Sequence, residues 1–194
     1  MKRFLFILPF LILVSFSKIN TVKNSKTIRI TPKSELQING TSNVKDFTCA
    51  YEIQNLNKPI QIHYEKEHDI IKFEKSVLIL ENNGFDCGGK GINKDFHGLL
   101  QSDIYPRISL TLKQINLKSH KKNMADALID IEIAGLTRSY HMETTYQNLE
   151  NWLISGKLKL NIKDFKLEAP KKMFGLVVVS DEIEISFKLV VEES

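Results

Sequence analysis

Strict alternation of apolar and polar residues recurs four times in the second half of this chain, and no other feature limits its fold so tightly. Ile108, Leu110 and Leu112 alternate with Ser109, Thr111 and Lys113. Ala127, Ile129, Ile131 and Ile133 alternate with Asp126, Leu128, Asp130 and Glu132. Trp152, Ile154, Gly156, Leu158, Leu160 and Ile162 form a third run, and Ile183, Ile185, Phe187, Leu189 and Val191 a fourth. A period of two sends one set of side chains to a dry face and the other to water, as in a half-buried strand. Antiparallel sheets tolerate one solvated face, whereas parallel sheets seldom do.

The first half reads the same way with less regularity. Thr27–Thr31, Glu35–Asn39, Phe47–Gln54, Ile60–Tyr64 and Ile70–Leu80 are expected strands. Turn residues separate them at Thr31-Pro32, Asn39-Gly40, 55–59, 67–69 and Asn82-Asn83-Gly84. Asn39-Gly40-Thr41 also matches the glycosylation acceptor pattern, but Asn-Gly is a tight-turn dipeptide and is read as one here. One short segment, Asn93–Ser102, has a helical face of Phe96, Leu99 and Leu100. An all-β chain with one short helix leaves a two-sheet sandwich or a barrel. The long runs Met124–Leu136 and Asn151–Ile162 favour closure, which removes exposed sheet edges. The expected fold is a single eight-stranded antiparallel barrel of lipocalin-like form, wide enough to be filled by side chains or to hold one small ligand.

The N-terminus is organised differently. Lys2 and Arg3 precede an apolar stretch from Phe4 to Phe16, which is too short to span a bilayer comfortably and has the layout of an export signal. Residues 1–17 are expected to be a signal peptide cleaved after Ser17, residues 18–26 a mobile polar segment, and residues 27–192 the β domain. Removing Lys2 and Arg3 takes two positive charges from a formal net charge of +4, and Lys and Glu are interspersed along the rest. Nucleic acid is therefore excluded as a partner. Export to the periplasm or beyond places Cys49 and Cys87 where thiols oxidise, so a disulfide is expected, with two separately buried thiols as the alternative.

Four segments, in order, resemble the YceI-like family. They are Ile38-Asn39-Gly40-Thr41-Ser42-Asn43, the stretch Asp95–Leu112, the turn Ile133-Ala134-Gly135-Leu136-Thr137-Arg138, and Ile162–Val191 with its Ser180-Asp181-Glu182-Ile183 closing pattern. The resemblance implies an extended lipocalin-like barrel that binds a polyisoprenoid or related lipid, without catalytic residues and without a cofactor. It also implies that His97 caps the barrel mouth. The chain departs from the family at Gly98-Leu99-Leu100-Gln101, where an Arg and an aromatic pair are common, and in having a cysteine pair.

The residues alone lead to a similar expectation. If the dry faces turn inward, Ile108, Leu110, Leu112, Ile129, Ile131, Ile133, Trp152, Ile154, Leu158, Leu160, Ile185, Phe187 and Leu189 line one cavity. Burial is worth ~0.8 kcal/mol per CH₂, so one isoprene unit gains on the order of 3 to 4 kcal/mol before costs. The alternative is that these side chains pack on one another as a dry core, which describes an envelope structural or interaction protein. Enzyme chemistry has little basis here. Cys87-Gly88-Gly89-Lys90-Gly91 lacks phosphate-loop spacing and reads as a flexible turn, and His63, His68, His97, His120 and His141 show no metal-ligand grouping. No metal site is expected. Basic clusters at Lys118–Lys122 and Lys171-Lys172 read as solvated strand ends, compatible with transient contact with a membrane. A homodimer is compatible with the sequence.

Overall fold

The structure, a computed structural model, describes residues 23–117, 121–172 and 176–193. The expected signal peptide lies outside the described residues, as do residues 118–120 of the first basic cluster. The strands are β1 Lys23–Ile30, β2 Glu35–Ser42, β3 Phe47–Tyr51, β4 Ile60–Glu67, β5 Ile70–Glu81 and β6 Phe85–Asp86. After the helix α1, Lys90–Leu99, come β7 Arg107–Leu117, β8 Met124–Ile133, β9 Leu136–Asn148, β10 Trp152–Asn161, β11 Lys171–Lys172 and β12 Val177–Glu193.

Every pairing is antiparallel, and eight strands form a ring in the order β1-β4-β5-β7-β8-β9-β10-β12. The ring closes where Ile28, Arg29 and Ile30 pair with Glu193, Glu192 and Val191. The long β12 also holds β2 farther down the same edge, from Lys188↔Glu35 to Val179↔Ser42. β1 and β2 thus act as one strand broken by a corner. At that corner the Thr31 N–H donates to the Val190 carbonyl at 2.9 Å, and the buried Ser34 hydroxyl accepts from the Val190 N–H at 2.8 Å. These bonds supply the ladder partners that the turn removes. β3 and β6 widen the sheet beyond β2.

Four sequence expectations are corrected. The first strand begins at Lys23, so residues 23–26 of the expected mobile segment pair with β4, from Lys23↔Glu65 to Lys26↔Ile62. Asn39-Gly40 lies inside β2 instead of turning the chain, because the Phe47 ring occupies the space of a side chain at Gly40: a Cβ there would stand 2.3 Å from it. The Met124–Leu136 run, read from its alternation as one long strand, is divided by a two-residue hairpin at Ala134 and Gly135, with φ values of 47° and 75°, where the family resemblance implies a turn; β9 follows, a strand that alternation did not locate. The helix begins at Lys90, not Asn93, so the Lys90-Gly91 end of the expected flexible turn is its first turn.

The inward faces form a continuous core containing Ile131, Phe165, Leu160 and Leu80. Gly156 makes room for Phe187, whose ring lies over it and would stand 2.8 Å from a Cβ there. β9 and β10 pair only from Asn148↔Trp152 to Thr144↔Gly156. Beyond Gly156 they diverge, and the helical turn Ile162–Phe165 fills the opening. Outside, strands are laced by surface pairs such as Lys157–Glu184 at 2.8 Å and Arg107–Glu81 at 2.9 Å. Such pairs contribute little to stability but keep the outer face polar.

Candidate functional site

The barrel's interior holds a cavity of about 60 Å³, lined almost wholly by apolar side chains. β2 supplies Leu36 and Ile38 to it, α1 supplies Phe96 and Leu99, and the far wall comes from Leu110 and Ile133. Ligand pockets ordinarily occupy about 300–1,000 Å³, so this space by itself does not accommodate a long chain. A second, larger space adjoins it. Between α1, β3 and the beginning of β12 lies a cleft of about 320 Å³, reaching from Val44 and Lys45 past Ile92 to Pro170 and Val177. Phe47, Phe96, Leu99 and Val179 line both spaces and separate them. The arrangement is an apolar vestibule, a four-residue constriction and a small interior chamber.

The expected lining residues divide among these regions. Ile108, Leu110, Ile133 and Ile185 border the interior chamber. Ile131, Leu158 and Leu160 are buried in the packed core, and Ile129, Trp152, Ile154, Phe187 and Leu189 are partly buried against it. Leu112 is half-buried opposite Ser76. His97 lies on α1 but borders neither apolar space, and its Nε2 is buried without a hydrogen-bond partner. The vestibule residues Phe47, Ile92 and Val179 have no place in the alternating runs. Ile92 precedes Phe96 by four positions and Leu99 by seven, a helical spacing that would have revealed the apolar face had the helix been started one turn earlier.

The helix that covers this opening is held at its N-terminal end. Cys49 of β3 and Cys87 form a disulfide with both residues buried, one step beyond the β3–β6 pair Ala50↔Asp86. The bonded sulfurs replace the two thiols of the alternative reading. Asp86 then accepts hydrogen bonds from the Gly88 N–H and from the Asn93 side chain, both at 2.9 Å, while the Asn93 side chain accepts from the Cys87 N–H at 2.7 Å. The Asn93 bond, followed by that from Gly88, lowers the Asp86 pKa from its ordinary 3.8. At the other end Gln101 takes a left-handed φ of 53°, with the Ser102 N–H donating to the His97 carbonyl and the Gln101 N–H to the Gly98 carbonyl. A tilted ring contact of Phe96 with Phe85, with centroids 5.3 Å apart, fixes the middle.

On the opposite side of the core, the turn Ile162–Phe165 is tied to β9 by the Tyr140 hydroxyl, which donates to Asp164 at 3.0 Å. Burial, then the bond to Asp164 and its negative charge, push the Tyr140 pKa up to about 12 from an ordinary 10.0. The folded protein therefore retains this proton where the unfolded chain releases it. The stabilising effect is fully present below pH 10 and is lost as pH rises towards 12. In a spectroscopic alkaline titration, Tyr140→Phe is expected to remove the phenolate transition near pH 12, leaving the late transition of Tyr51, whose pKa burial also raises.

Among the described residues no three His, Cys, Asp or Glu side chains are gathered as metal ligands. A closed antiparallel ring with a helix-capped apolar interior places the chain among small β-barrels built around their inside. A YceI-like domain model matches residues 60–191, more than half of the chain, and the chain belongs to the YceI-like family. Comparison with curated protein sequences gives no match. Among solved structures it is similar to a polyisoprenoid-binding domain from Saccharophagus degradans implicated in plant cell wall breakdown, with a TM-score of 0.63 and 13% identity over 86% of this chain and 98% of that one. It is also similar to BcnA of Burkholderia cenocepacia, with a TM-score of 0.56 and 19% identity over 82% and 96% of the two chains. A YceI protein of Campylobacter jejuni gives 0.51 and 14% over 63% and 74%. At these identities the likenesses establish the fold.

Proposed function

We propose that this protein binds an isoprenoid or other long-chain apolar lipid without chemically altering it, and that it does so in an exported compartment. The observation that carries the reading is the apolar vestibule of about 320 Å³ opening on the interior chamber through Phe47, Phe96, Leu99 and Val179. A flexible hydrocarbon would enter the vestibule and displace the rings of the constriction. Its gain is the burial of CH₂ groups, on the order of 0.8 kcal/mol each before ordering costs. The similar polyisoprenoid-binding domain from Saccharophagus degradans supports this ligand class. The disulfide, together with the charged and then apolar start of the chain, supports export to the periplasm or beyond.

The small chamber of about 60 Å³ favours a second reading, a filled barrel whose surface does the work. Organic extraction and mass spectrometry of the protein purified from the exported compartment separate the two. A stoichiometric lipid is expected. Repeated recovery of lipid-free protein, before and after incubation with isoprenoid-containing vesicles, would establish the filled barrel instead.

The constriction makes its own prediction. Phe47 is half-buried and sits over Gly40 at the edge of the sheet. Phe47→Ala is expected to join the two spaces while leaving the ring of eight strands intact. If displacing this ring contributes ~1.4 kcal/mol to the entry barrier, the variant takes up an apolar fluorescent probe about tenfold faster. An unchanged rate in stopped-flow measurements would place the entry route elsewhere.

A further inference from the structure

We infer that Lys26 and Glu193 seat an uncharged, hydroxyl-bearing head group in the barrel mouth opposite α1, which makes the ligand a long-chain alcohol and not its phosphate. The inference rests on the lipid-binding reading and adds to it the chemistry and the direction of the bound chain.

The two ends of the barrel interior differ. Near α1 the inward side chains of Leu36, Ile38, Ile108 and Ile133 are buried. At the far end, where β1 begins and β12 ends, the inward Ile28, Trp152, Ile154 and Leu189 are only half-buried. A side chain that points inward and still meets solvent stands in a mouth that is open among the described residues.

An ion pair lies inside this mouth. Glu193 is directly opposite Ile28 and Lys26 directly opposite Ile62, and directly opposite side chains share one face of a sheet. Ile28 packs against the core, so Glu193 turns inward with it, as does Lys26 two positions earlier on β1. Lys26 Nζ and Glu193 Oε1 stand 2.6 Å apart. Pairs that lace the outer face, such as Lys157–Glu184, alternate with the inward residues instead. Aromatic side chains frame the inward pair. Trp152 is opposite Val191, two positions before Glu193, and Tyr64 follows Ile62 on the same face of β4. The Tyr146 ring lies 6.3 Å from that of Trp152.

Charge decides the head group. The bond from Lys26, with a smaller contribution from the Trp152 indole, holds the Glu193 carboxyl below its ordinary 4.5, and the same bond raises Lys26 above its ordinary 10.5. Both partners are therefore ionised at neutral pH and neutralise each other. Apolar sites orient their ligands with a few polar groups of this kind. A hydroxyl can accept from the Lys26 ammonium while it donates to the Glu193 carboxylate. A phosphate meets that carboxylate as a like charge. The next cation on this face of β4, Lys66, is four positions beyond Ile62 and away from the pair. An alcohol so held leaves its hydroxyl at the mouth and directs its hydrocarbon towards the interior chamber.

Titration of the purified full chain, followed through the emission of Trp152, the one tryptophan of the sequence, tests this. Val179 of the constriction and Val191 beside Trp152 stand near opposite ends of β12, so a ligand confined to the vestibule leaves that emission unmoved. The probes are geranylgeraniol, its monophosphate and a head-free hydrocarbon of the same length. Geranylgeraniol is expected to shift the emission and to bind about tenfold more tightly than either of the others. Glu193→Gln frees Lys26 and should make the phosphate the preferred ligand by about tenfold. Lys26→Met/Glu193→Met should bind the alcohol and the hydrocarbon alike, whereas Lys157→Met/Glu184→Met, which removes an outer pair, should keep the wild-type ranking. If the double variant of the mouth melts early, Glu193→Gln decides alone. The proposal is overturned if wild type prefers the phosphate, if Glu193→Gln leaves the ranking unchanged, or if the alcohol binds without moving the Trp152 emission. Three probes that bind alike overturn the seat and leave the lipid-binding reading standing. Binding of none of them overturns the seat, and the lipid-binding reading falls with it where organic extraction also yields no lipid.

Discussion

Replacing both Cys49 and Cys87 with alanine is expected to lower the unfolding free energy by about 4 kcal/mol, the chain-entropy value for a loop of this length. The bond closes 38 residues of chain, and β4 and β5, two of the eight ring strands, lie wholly within that loop. Without the bond those strands must be gathered from a larger unfolded ensemble. Locally, β6 pairs with β3 at only Ala50↔Asp86 and Tyr51↔Phe85, so the cross-link holds the short β6 and the start of α1 against the sheet. Chemical denaturation of wild type in the presence of reductant should reproduce most of the loss. A midpoint that neither reductant nor substitution moves would show that the hydrogen bonds of Asp86 and Asn93 and the Phe85–Phe96 ring contact hold this region alone.

Phe165→Ala should cost about 3 to 5 kcal/mol, as expected when a fully packed aromatic ring is removed and its space does not collapse. Phe165 is 1% exposed and occupies the opening where β9 and β10 part. Its ring lies 6.3 Å from that of Tyr140, and its neighbours in the chain, Ile162 and Leu167, are also buried. Phe165 does not border the interior chamber, although Ile162 and Leu167 do. The variant should therefore melt earlier without a gain in lipid capacity, in contrast to Phe47→Ala. A thermal melt within experimental error of wild type would mean that the turn Ile162–Phe165 closes over the vacated space.

Where alternation is unbroken, sequence and structure agree: β8, β10, most of β12 and the first half of β7 carry their apolar residues inward. The failures have identifiable causes. On β9 the exposed Arg138 and the buried Thr144 interrupt Leu136, Tyr140 and Met142 along one face, so no unbroken apolar alternation marks the strand. β7 shifts register between Leu112 and Gln114, which moves the next inward residue to Ile115 and breaks the period of two. β5 does the same between Lys72 and Ser76, where Lys75 adopts a φ of 55°. Bulges of this sort bend strands into a ring, so the features that close the barrel are also those that hide part of it from periodicity. The vestibule escaped for a related reason. Its residues come from the helix, from short β3 and from the irregular start of β12, where register shifts between Val179 and Ile183. What the alternating faces located was the packed interior, and the larger opening is assembled from segments that have no common period.

The position of β12 also sets a schedule for folding. Its 17 residues include the pairing partners of β1, β2 and β10 and occupy the last part of the chain. During synthesis, β1 and β2 therefore wait for an edge that does not yet exist, and the ring cannot form until β12 has emerged. Late, long-range pairing of this kind slows folding. Under the export proposed above, that delay keeps the barrel open until β12 has crossed the membrane.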